Sequence, residues 1–257
     1  MRKLYCTVIL LLSLLPRQIA AAEYTEQFTG ASGDPVSGWT TFGTDDTFSA
    51  SSFKYDITGT SGKVADLTGA NEDHGAYFNT IDSLAYSTLE LLVKFKINVF
   101  PVGGTMLGPV LGMSWDTGCN LGITVGISDT DVSLHEWRGY DVDLEACADR
   151  FADSGVKTAG FLSDDTWYIS RIRVDSTTAK LKTWKPDTQS EPVSWDISYT
   201  LTVARPVGHT GIIIDPLTDL SKFMTVDWFV ATTAGETATN PDDVAPPASG
   251  RRVMVVN

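Results

Sequence analysis

The sequence predicts an all-β fold, a two-sheet antiparallel sandwich, on three observations. First, about a dozen short segments rich in β-branched and aromatic residues recur roughly every 8–15 residues, with turn-forming residues between them. Second, polar and apolar residues approach strict alternation in several of these segments, as expected for strands with two unlike faces. Third, residues 144–152 are the one stretch with a helical repeat, so we expect almost no helix.

A β-hairpin at residues 168–184 is the clearest of these patterns. Its first half is rich in β-branched residues up to Val174, and residues 175–178 have the composition of a turn. In the second half, Lys180 and Lys182 alternate with smaller or apolar residues. We therefore predict a hairpin with one buried face and one solvated, basic face, against which the other strands pack.

The other predicted strands share this short, turn-bounded character. They cover residues 23–30, 39–42, 53–57, 63–67, 75–80, 89–99, 106–115, 121–127, 132–137, 195–203, 211–214 and 223–232. Residues 139–160, which contain the helical repeat at 144–152, are expected to form an inserted surface loop.

The N-terminal residues 1–22 have the composition of a secretory signal peptide. Arg2 and Lys3 form a basic start, residues 4–15 are almost wholly apolar, and residues 20–22 are small. The apolar run is too short for a comfortable membrane span, and no later stretch approaches the ~18 apolar residues that a span needs. We therefore expect a secreted, extracellular protein without a membrane span.

The rest of the chain is predicted to form one domain followed by a short tail. Residues 23–238 contain no internal repeat and no linker-like stretch, which favours a single domain. Residues 239–257 are a Pro-rich linker and a short apolar strand. Two alternatives are open for this tail: it docks on the body or on another molecule as an added strand, or it is a frayed terminus.

The acidic composition argues against two classes of partner. Loss of residues 1–22 removes Arg2, Lys3 and Arg17 and no acidic residue, which moves the net charge from -13 to -16. A protein this acidic is a poor ligand for nucleic acid or an anionic membrane, because both carry negative charge.

Two cysteines remain after the predicted signal peptide. Cys119 and Cys147 form an even pair in an oxidising compartment, so we expect one disulfide between them. Closing a loop of that size would contribute about 3.5 kcal/mol in the chain-entropy description. The alternative is a pair of buried free thiols.

Several motifs together resemble the concanavalin A-like lectin/glucanase superfamily. They are Trp167-Tyr168-Ile169 with Arg171-Ile172-Arg173-Val174, then Leu181-Lys182-Thr183-Trp184, Glu191-Pro192 with Trp195, and Val226-Asp227-Trp228-Phe229. The narrower resemblance is to jelly-roll domains of secreted and of phage- or virion-surface proteins. It implies a two-sheet antiparallel jelly roll in which the closing strand pairs near the first strand. Fold-level marks of this kind do not give a function.

Glycosidases of the laminarinase-like type in this superfamily carry Glu-x-Asp-x-Glu on one strand. Asp141, Asp143 and Glu145 have that spacing, and on a strand they would share one face and serve as nucleophile and general acid/base. The first carboxylate departs from the pattern, because Asp is one methylene shorter than Glu and would sit ~1 Å back from the reacting carbon. The run also falls in the predicted loop, so a solvated acidic loop is the favoured interpretation.

A sugar site on such a sandwich needs exposed aromatic rings and hydrogen-bonding side chains. The candidates lie on or beside central strands that would face the concave side of the sandwich, and they are Trp115, Asp116, Asn120, His135 and Trp137. Each has a competing interpretation, since a Trp in a β-sandwich is more often part of the core. Trp167, Trp184 and Trp195 are assigned to core or hairpin packing.

A structural calcium ion would suit oxygen-rich loops beside a sheet edge. The candidate ligands are Glu26 and Asp227, because the first and last strands are expected to be neighbours, and Asp45, Asp46 and Asp215 are further candidates. The alternative is that these are ordinary surface acids of an acidic protein.

Three functional hypotheses follow from the sequence. The first is a secreted, non-catalytic, lectin-like carbohydrate-binding domain that recognises a glycan surface. The second is a structural or decoration protein of an extracellular or virion assembly, self-associating or joined through its C-terminal strand. The third is a laminarinase-like glycoside hydrolase.

Overall fold

A computed structural model describes residues 22–43, 53–56, 59, 61–65, 74–79, 88–100, 106–114, 120–127, 131–140, 152–158, 162–201, 209–214 and 223–243. Strands dominate this part of the chain. They are β1 (Glu23–Glu26), β2 (Trp39–Gly43), β3 (Phe53–Tyr55), β4 (Gly62–Ala65), β5 (His74–Phe78), β6 (Thr88–Ile97), β7 (Met106–Ser114), β8 (Asn120–Ile127), β9 (Asp131–Tyr140), β10 (Ala152–Thr158), β11 (Tyr168–Asp175), β12 (Thr178–Trp184), β13 (Ile197–Thr200), β14 (His209–Ile214) and β15 (Phe223–Thr233). One 3₁₀ turn follows at Pro241–Asp243.

The strands form two antiparallel sheets, as predicted. The eight-stranded sheet has the order β13-β12-β11-β6-β15-β4-β3, with β1 also paired to β15. The seven-stranded sheet has the order β10-β9-β8-β7-β14-β5-β2. The expected pairing of the first and last strands is confirmed, since Glu26 lies opposite Phe229.

The main hydrophobic core joins residues of the two sheets. β6 contributes apolar residues that include Leu91, Val93 and Phe95, and β8 and β9 contribute others from the seven-stranded sheet. An aromatic cluster lies at one side, where the Trp39 ring stacks on Phe78 at a centroid distance of 5.2 Å and meets Phe229 edge-on at 5.1 Å. Each such buried side chain contributes roughly 1.5–3 kcal/mol through the hydrophobic effect.

The hairpin at 168–184 is confirmed, but the prediction of a solvated basic face is wrong. β11 and β12 pair in the expected register, with Ile172 opposite Leu181. On the face turned away from the main core, Arg171 is 4% exposed and Lys182 is 7% exposed. The alternation of the sequence predicted the two faces correctly, but it carried no information about chain segments that cover the second face.

The predicted surface loop at 139–160 is also corrected. Residues 139 and 140 still belong to β9, and Ala152–Thr158 forms the edge strand β10, which pairs with β9. β10 has the sequence Ala-Asp-Ser-Gly-Val-Lys-Thr, whose polar composition suits an edge strand. Because this segment lacks the alternation of polar and apolar residues, the sequence pattern does not predict it as a strand. The helical repeat at 144–152 lies outside the described residues, apart from Ala152, which is in β10.

Among the described residues, no helix has the length and apolar composition of a membrane span.

Candidate functional site

Three of the predicted glycan-binding residues lie on neighbouring strands of the seven-stranded sheet. His135 on β9 pairs with Thr124 on β8, and Trp137 pairs with Gly122 two positions further on. Asn120 begins β8 and pairs with Tyr140 at the end of β9. The fold therefore brings positions 120, 135 and 137 to one region of two adjacent inner strands, as a shared site requires.

The alternation of β9 separates two sets of positions. Val132 and Leu134 are buried members of the main core. Because successive strand residues alternate between faces, positions 135 and 137 fall on the opposite face from position 134. That is the outer face of the seven-stranded sheet.

Most of the other predicted site residues lie outside the described residues. They are Trp115, Asp116, Asp141, Asp143 and Glu145, the two cysteines Cys119 and Cys147, and the additional acids Asp45, Asp46 and Asp215. β9 continues to Tyr140, so the Asp-x-Asp-x-Glu run starts immediately after an inner strand. The disulfide stays a prediction, and the choice between a solvated acidic loop and a catalytic set of carboxylates stays open.

The two proposed calcium ligands lie on adjacent strands, and each has a protein partner. A Glu26 carboxylate oxygen accepts a hydrogen bond from the backbone N–H of Phe28 at 2.8 Å. Asp227 forms an ion pair with Lys94 at 2.9 Å. Among the residues of known position, no three His, Cys, Asp or Glu side chains converge as metal ligands would.

The outer face of the eight-stranded sheet holds a buried charge network that the sequence analysis missed. Glu90 of β6 is 1% exposed and forms an ion pair with Arg171 of β11. The Arg171 Nη2 donates a hydrogen bond to Glu191 Oε2 at 2.9 Å, and Lys182 Nζ lies 2.6 Å from Glu191 Oε1. Buried charges of this kind are tolerated only when paired, so the four groups depend on one another.

A signal for this network is present in the sequence. Glu90 sits inside the apolar run Leu-Glu-Leu-Leu-Val, where a charged residue facing the core would need a partner. Its partner Arg171 is 81 residues further along the chain, and Glu191, which pairs with Arg171, is another 20 residues on. Local pattern cannot identify a partner at such separations, so only the assembled sheet shows it.

The electrostatics of Glu191 reflect this environment. Burial by itself would raise the pKa of Glu191, but the hydrogen bonds and positive charges of Arg171 and Lys182 lower it below its ordinary value. The carboxylate therefore stays ionised at neutral pH and fixes residues 185–196, hereafter the 185–196 loop, against β12. Lys182 Nζ also donates to the backbone carbonyl of Pro192 at 2.8 Å in that loop.

The tryptophans near the hairpin have different environments. Trp184 is buried in a small apolar cluster with Leu92, Ile169 and Trp228 on the outer face, as the packing assignment predicted. Trp167 and Trp195 are half-buried and lie outside both apolar clusters. Lys96 lies over the Trp167 ring at 5.3 Å, and Lys182 lies over the Trp195 ring at 4.9 Å, so cation–π contacts hold both rings.

A second segment, residues 236–243, hereafter the strap, crosses the same outer face. The Ala238 N–H donates to Glu90 Oε1 at 2.9 Å, and Arg171 Nη1 donates to the Ala238 carbonyl at 3.0 Å. The Ala238 side chain is buried in the apolar cluster that includes Trp184 and Trp228. The packed chain thus continues past the boundary at residue 238 that composition predicts.

The two outer faces therefore differ in what they can offer a ligand. The strap and the 185–196 loop occupy the middle of the eight-stranded sheet's outer face. The candidate glycan site therefore lies on the seven-stranded sheet, the sheet whose outer face these two segments do not cover.

No family model matches the chain, and no curated protein matches it. Solved structures do match. A protein of unknown function from Shewanella oneidensis MR-1 superposes with a TM-score of 0.53 at 15% identity, over 91% of this chain and 97% of that one. A structure reported with endo-acting O-glycanases of the human gut microbiota that initiate mucin breakdown superposes with a TM-score of 0.53 at 11% identity, over 82% of this chain and 98% of that one.

The exoplasmic/lumenal domain of VIP36 is a further structural neighbour. Its metal-free form superposes with a TM-score of 0.52 at 12% identity, over 84% of this chain and 92% of that domain. Its form with Ca²⁺ and Man3GlcNAc bound superposes with a TM-score of 0.50 at 15% identity, over 80% and 87%. At these identities the likeness concerns the fold alone, and with the two antiparallel sheets described above it establishes that this chain has the concanavalin A-like jelly-roll fold.

Proposed function

We propose that this chain is a secreted, non-catalytic carbohydrate-binding domain whose site is the outer face of the seven-stranded sheet. The observation that carries the proposal is the register of β8 and β9, which brings positions 120, 135 and 137 close together on two adjacent strands, with 135 and 137 on that face. An indole ring stacks on the apolar face of a sugar ring, while an amide and an imidazole bind its hydroxyl groups. These three residue types together suit a neutral glycan.

The opposite side of the sandwich supports this choice of face. The strap and the 185–196 loop fill the middle of the eight-stranded sheet's outer face, and Arg171 and Glu90 are committed to each other there. A glycan chain could not reach those strands without displacing these segments. The seven-stranded sheet is therefore the better platform for an extended, hydroxyl-rich ligand.

The structural neighbours are consistent with this function class. One was solved with Ca²⁺ and Man3GlcNAc bound, and another was reported with glycanases that act on mucin. A structural calcium ion in this chain is part of the same proposal, with Glu26 and Asp227 as candidate ligands. Calcium at Asp227 would compete with Lys94 for the carboxylate, because Lys94 Nζ already lies 2.9 Å from it.

A glycoside hydrolase is the second candidate function, and one observation favours it. β9 extends to Tyr140, so Asp141 is the next residue in sequence after an inner strand. If the strand geometry continued, the three carboxylates would share a face. The same panel of glycans tests both functions.

The experiment compares binding of the mature chain and of Trp137→Ala to a polysaccharide panel, with calcium and with a chelator. We expect wild type to be retained on at least one glycan and Trp137→Ala to bind roughly 30-fold more weakly, because truncating a central aromatic contact costs on the order of 2 kcal/mol. Trp167→Ala is the matched control. Its ring lies over Lys94 and Lys96 on the other sheet, so its loss should leave binding unchanged.

Other outcomes would contradict the proposal. Equal binding by wild type and Trp137→Ala would place the site elsewhere. Release of reducing sugar by wild type, abolished in Glu145→Gln, would make the chain a hydrolase. Absence of both binding and turnover across the panel, together with elution as a large assembly, would favour a structural or decoration protein.

A further inference from the structure

The strap is bound to the sheet in the manner of a peptide ligand. Its one buried side chain is Ala238, which enters the apolar cluster that includes Trp228 and Val230. Both polar backbone groups of Ala238 are recognised, the N–H by Glu90 and the carbonyl by Arg171. The part of the outer face that holds the strap, hereafter the groove, therefore accepts a small side chain at this position.

Contacts at either side of Ala238 complete this recognition. The Thr239 N–H donates to Glu23 Oε2 at 2.8 Å. Further along, one Asp242 carboxylate oxygen lies 2.8 Å from Lys94 Nζ, and the other accepts from the indole N–H of Trp228 at 3.2 Å. The acidic end of the strap thus meets a cation and a ring N–H, both fixed on the sheet.

The Lys94 contact persists at neutral pH. Burial by itself would lower the pKa of Lys94, but hydrogen bonds and charges from Asp242 and Asp227 raise it above its ordinary value. The ammonium group therefore stays charged unless the pH is strongly alkaline. The charges that face it are Asp227 on β15, Asp242 on the strap and the neighbouring Lys96, which is paired with Asp165.

The hinge before the strap is a tight turn under strain. Ala234 and Gly235 both have positive φ, of 56° and 90°, and the Glu236 N–H closes the turn on the Thr233 carbonyl at 3.2 Å. This is the pattern of a type I′ turn, which favours Gly, Asn or Asp at both central positions. Alanine is disfavoured there because its Cβ crowds the backbone in the left-handed region. The Ala234 N–H bond to Thr88 O, at 3.1 Å, holds the strained residue in place.

From these observations we propose that the strap can dock on the outer face of a second copy of this chain, so that two chains exchange straps. Opening the turn at Ala234 relieves the strained conformation, while every contact of the strap with Glu90, Arg171 and Lys94 is remade on the partner. Exchange of an identical element forms a dimer without any new interface chemistry. Short, strained hinges favour this outcome.

Complementary charge reversal tests the exchange directly. Lys94→Asp leaves a groove that repels its own strap, and Asp242→Lys leaves a strap that is repelled by its own groove. When the two variants are mixed, each strap meets a groove of opposite charge only on the other chain. We expect each variant alone to have the mass of a monomer by light scattering, and the mixture to form a species of twice that mass.

The double variant Lys94→Asp/Asp242→Lys is the control, because it restores the attraction within one chain and should match wild type in mass and thermal midpoint. A mixture that stays at monomer mass, with both variants folded by circular dichroism, would overturn the proposal.

A second pair of variants tests the hinge without touching the groove. Ala234 is exposed, so changes there leave the core intact. Ala234→Val makes positive φ more costly and should raise the dimer fraction at a given concentration, whereas Ala234→Gly removes the strain and should lower it. Equal dimer fractions in the two variants would contradict exchange through this hinge.

Discussion

The two outer faces of this sandwich are built by different means. The outer face of the eight-stranded sheet is closed by the chain itself, with Glu90 and Arg171 paired beneath the strap and Glu191 reaching in from the 185–196 loop. On the seven-stranded sheet, strand register brings positions 120, 135 and 137 close together. One face uses charge to attach segments of its own chain, and the other carries the proposed glycan site. A basic or aromatic strand is therefore not evidence of a binding face until its covering segments are known.

Among the variants that test this contrast, Arg171→Met is expected to cause the largest loss of stability. Removal of the guanidinium leaves the buried Glu90 carboxylate without its main partner and takes a donor from the Ala238 carbonyl. Leaving one member of a buried ion pair without its partner costs about 3–5 kcal/mol. We expect urea denaturation to show a loss of that order, with glycan binding by the folded variant unchanged.

Two further variants show how much of the stability loss in Arg171→Met comes from the unpaired Glu90 carboxylate. Arg173→Met removes a more exposed cation that lies 3.4 Å from Glu90 and 3.0 Å from Asp175, and it should cost about 1 kcal/mol or less. Glu90→Met/Arg171→Met removes both buried charges and should recover much of the stability, because no unpaired charge remains. A double variant as unstable as Arg171→Met would show that packing, not the unpaired carboxylate, dominates.

A smaller effect is expected from pH, acting on the 185–196 loop. Because the pKa of Glu191 is lowered from its ordinary value of 4.5, ionised Glu191 stabilises the fold fully above that value, and the contribution is lost as pH falls through the lower folded-state pKa. Glu191→Gln should reduce stability near neutral pH and make the decline below about pH 4.5 shallower. Thermal midpoints between about pH 3 and 6 for both proteins give the comparison. Parallel pH profiles would argue against a stabilising role for this carboxylate.

The smallest effect is expected at the rim of the same sheet. Lys96 pairs with Asp165 at 2.7 Å, but Asp165 is 69% exposed, so solvent and salt screen the attraction. Lys96→Met should change the free energy of unfolding by less than about 1 kcal/mol, and urea denaturation at low and high salt checks this. A change as large as that of Arg171→Met would remove the distinction between the covered centre and the exposed rim.

Local pattern was sufficient for many of the strands. The long strand predicted at 89–99 is β6 (Thr88–Ile97), and the closing strand predicted at 223–232 is β15 (Phe223–Thr233). Alternation and β-branched content predict such strands because both depend on neighbours in sequence. β10 escaped prediction because an edge strand with polar residues lacks that pattern, and an apolar helical repeat beside it suggested a different structure.

Reasoning from local sequence pattern predicted only part of the candidate site. The sequence indicated residue types suited to sugars at 120, 135 and 137, and the register of β8 and β9 then showed that these positions are close together. The strap was assigned to a linker from residue 239 onward because of its proline and small residues. Its attachment depends on Glu90, 148 residues before Ala238, and no local pattern spans that distance.

By itself, the sequence determined the β-rich class, most of the strands and the two unlike faces of the central hairpin, because these follow from side-chain periodicity along the backbone. Only the tertiary structure decided which face is covered, which charges are buried together and where the strap lies. Those outcomes are set by contacts between segments far apart in the chain. Burial makes such contacts obligatory, since a charge such as that of Glu90 would cost several kcal/mol if it were left unpaired once water is excluded.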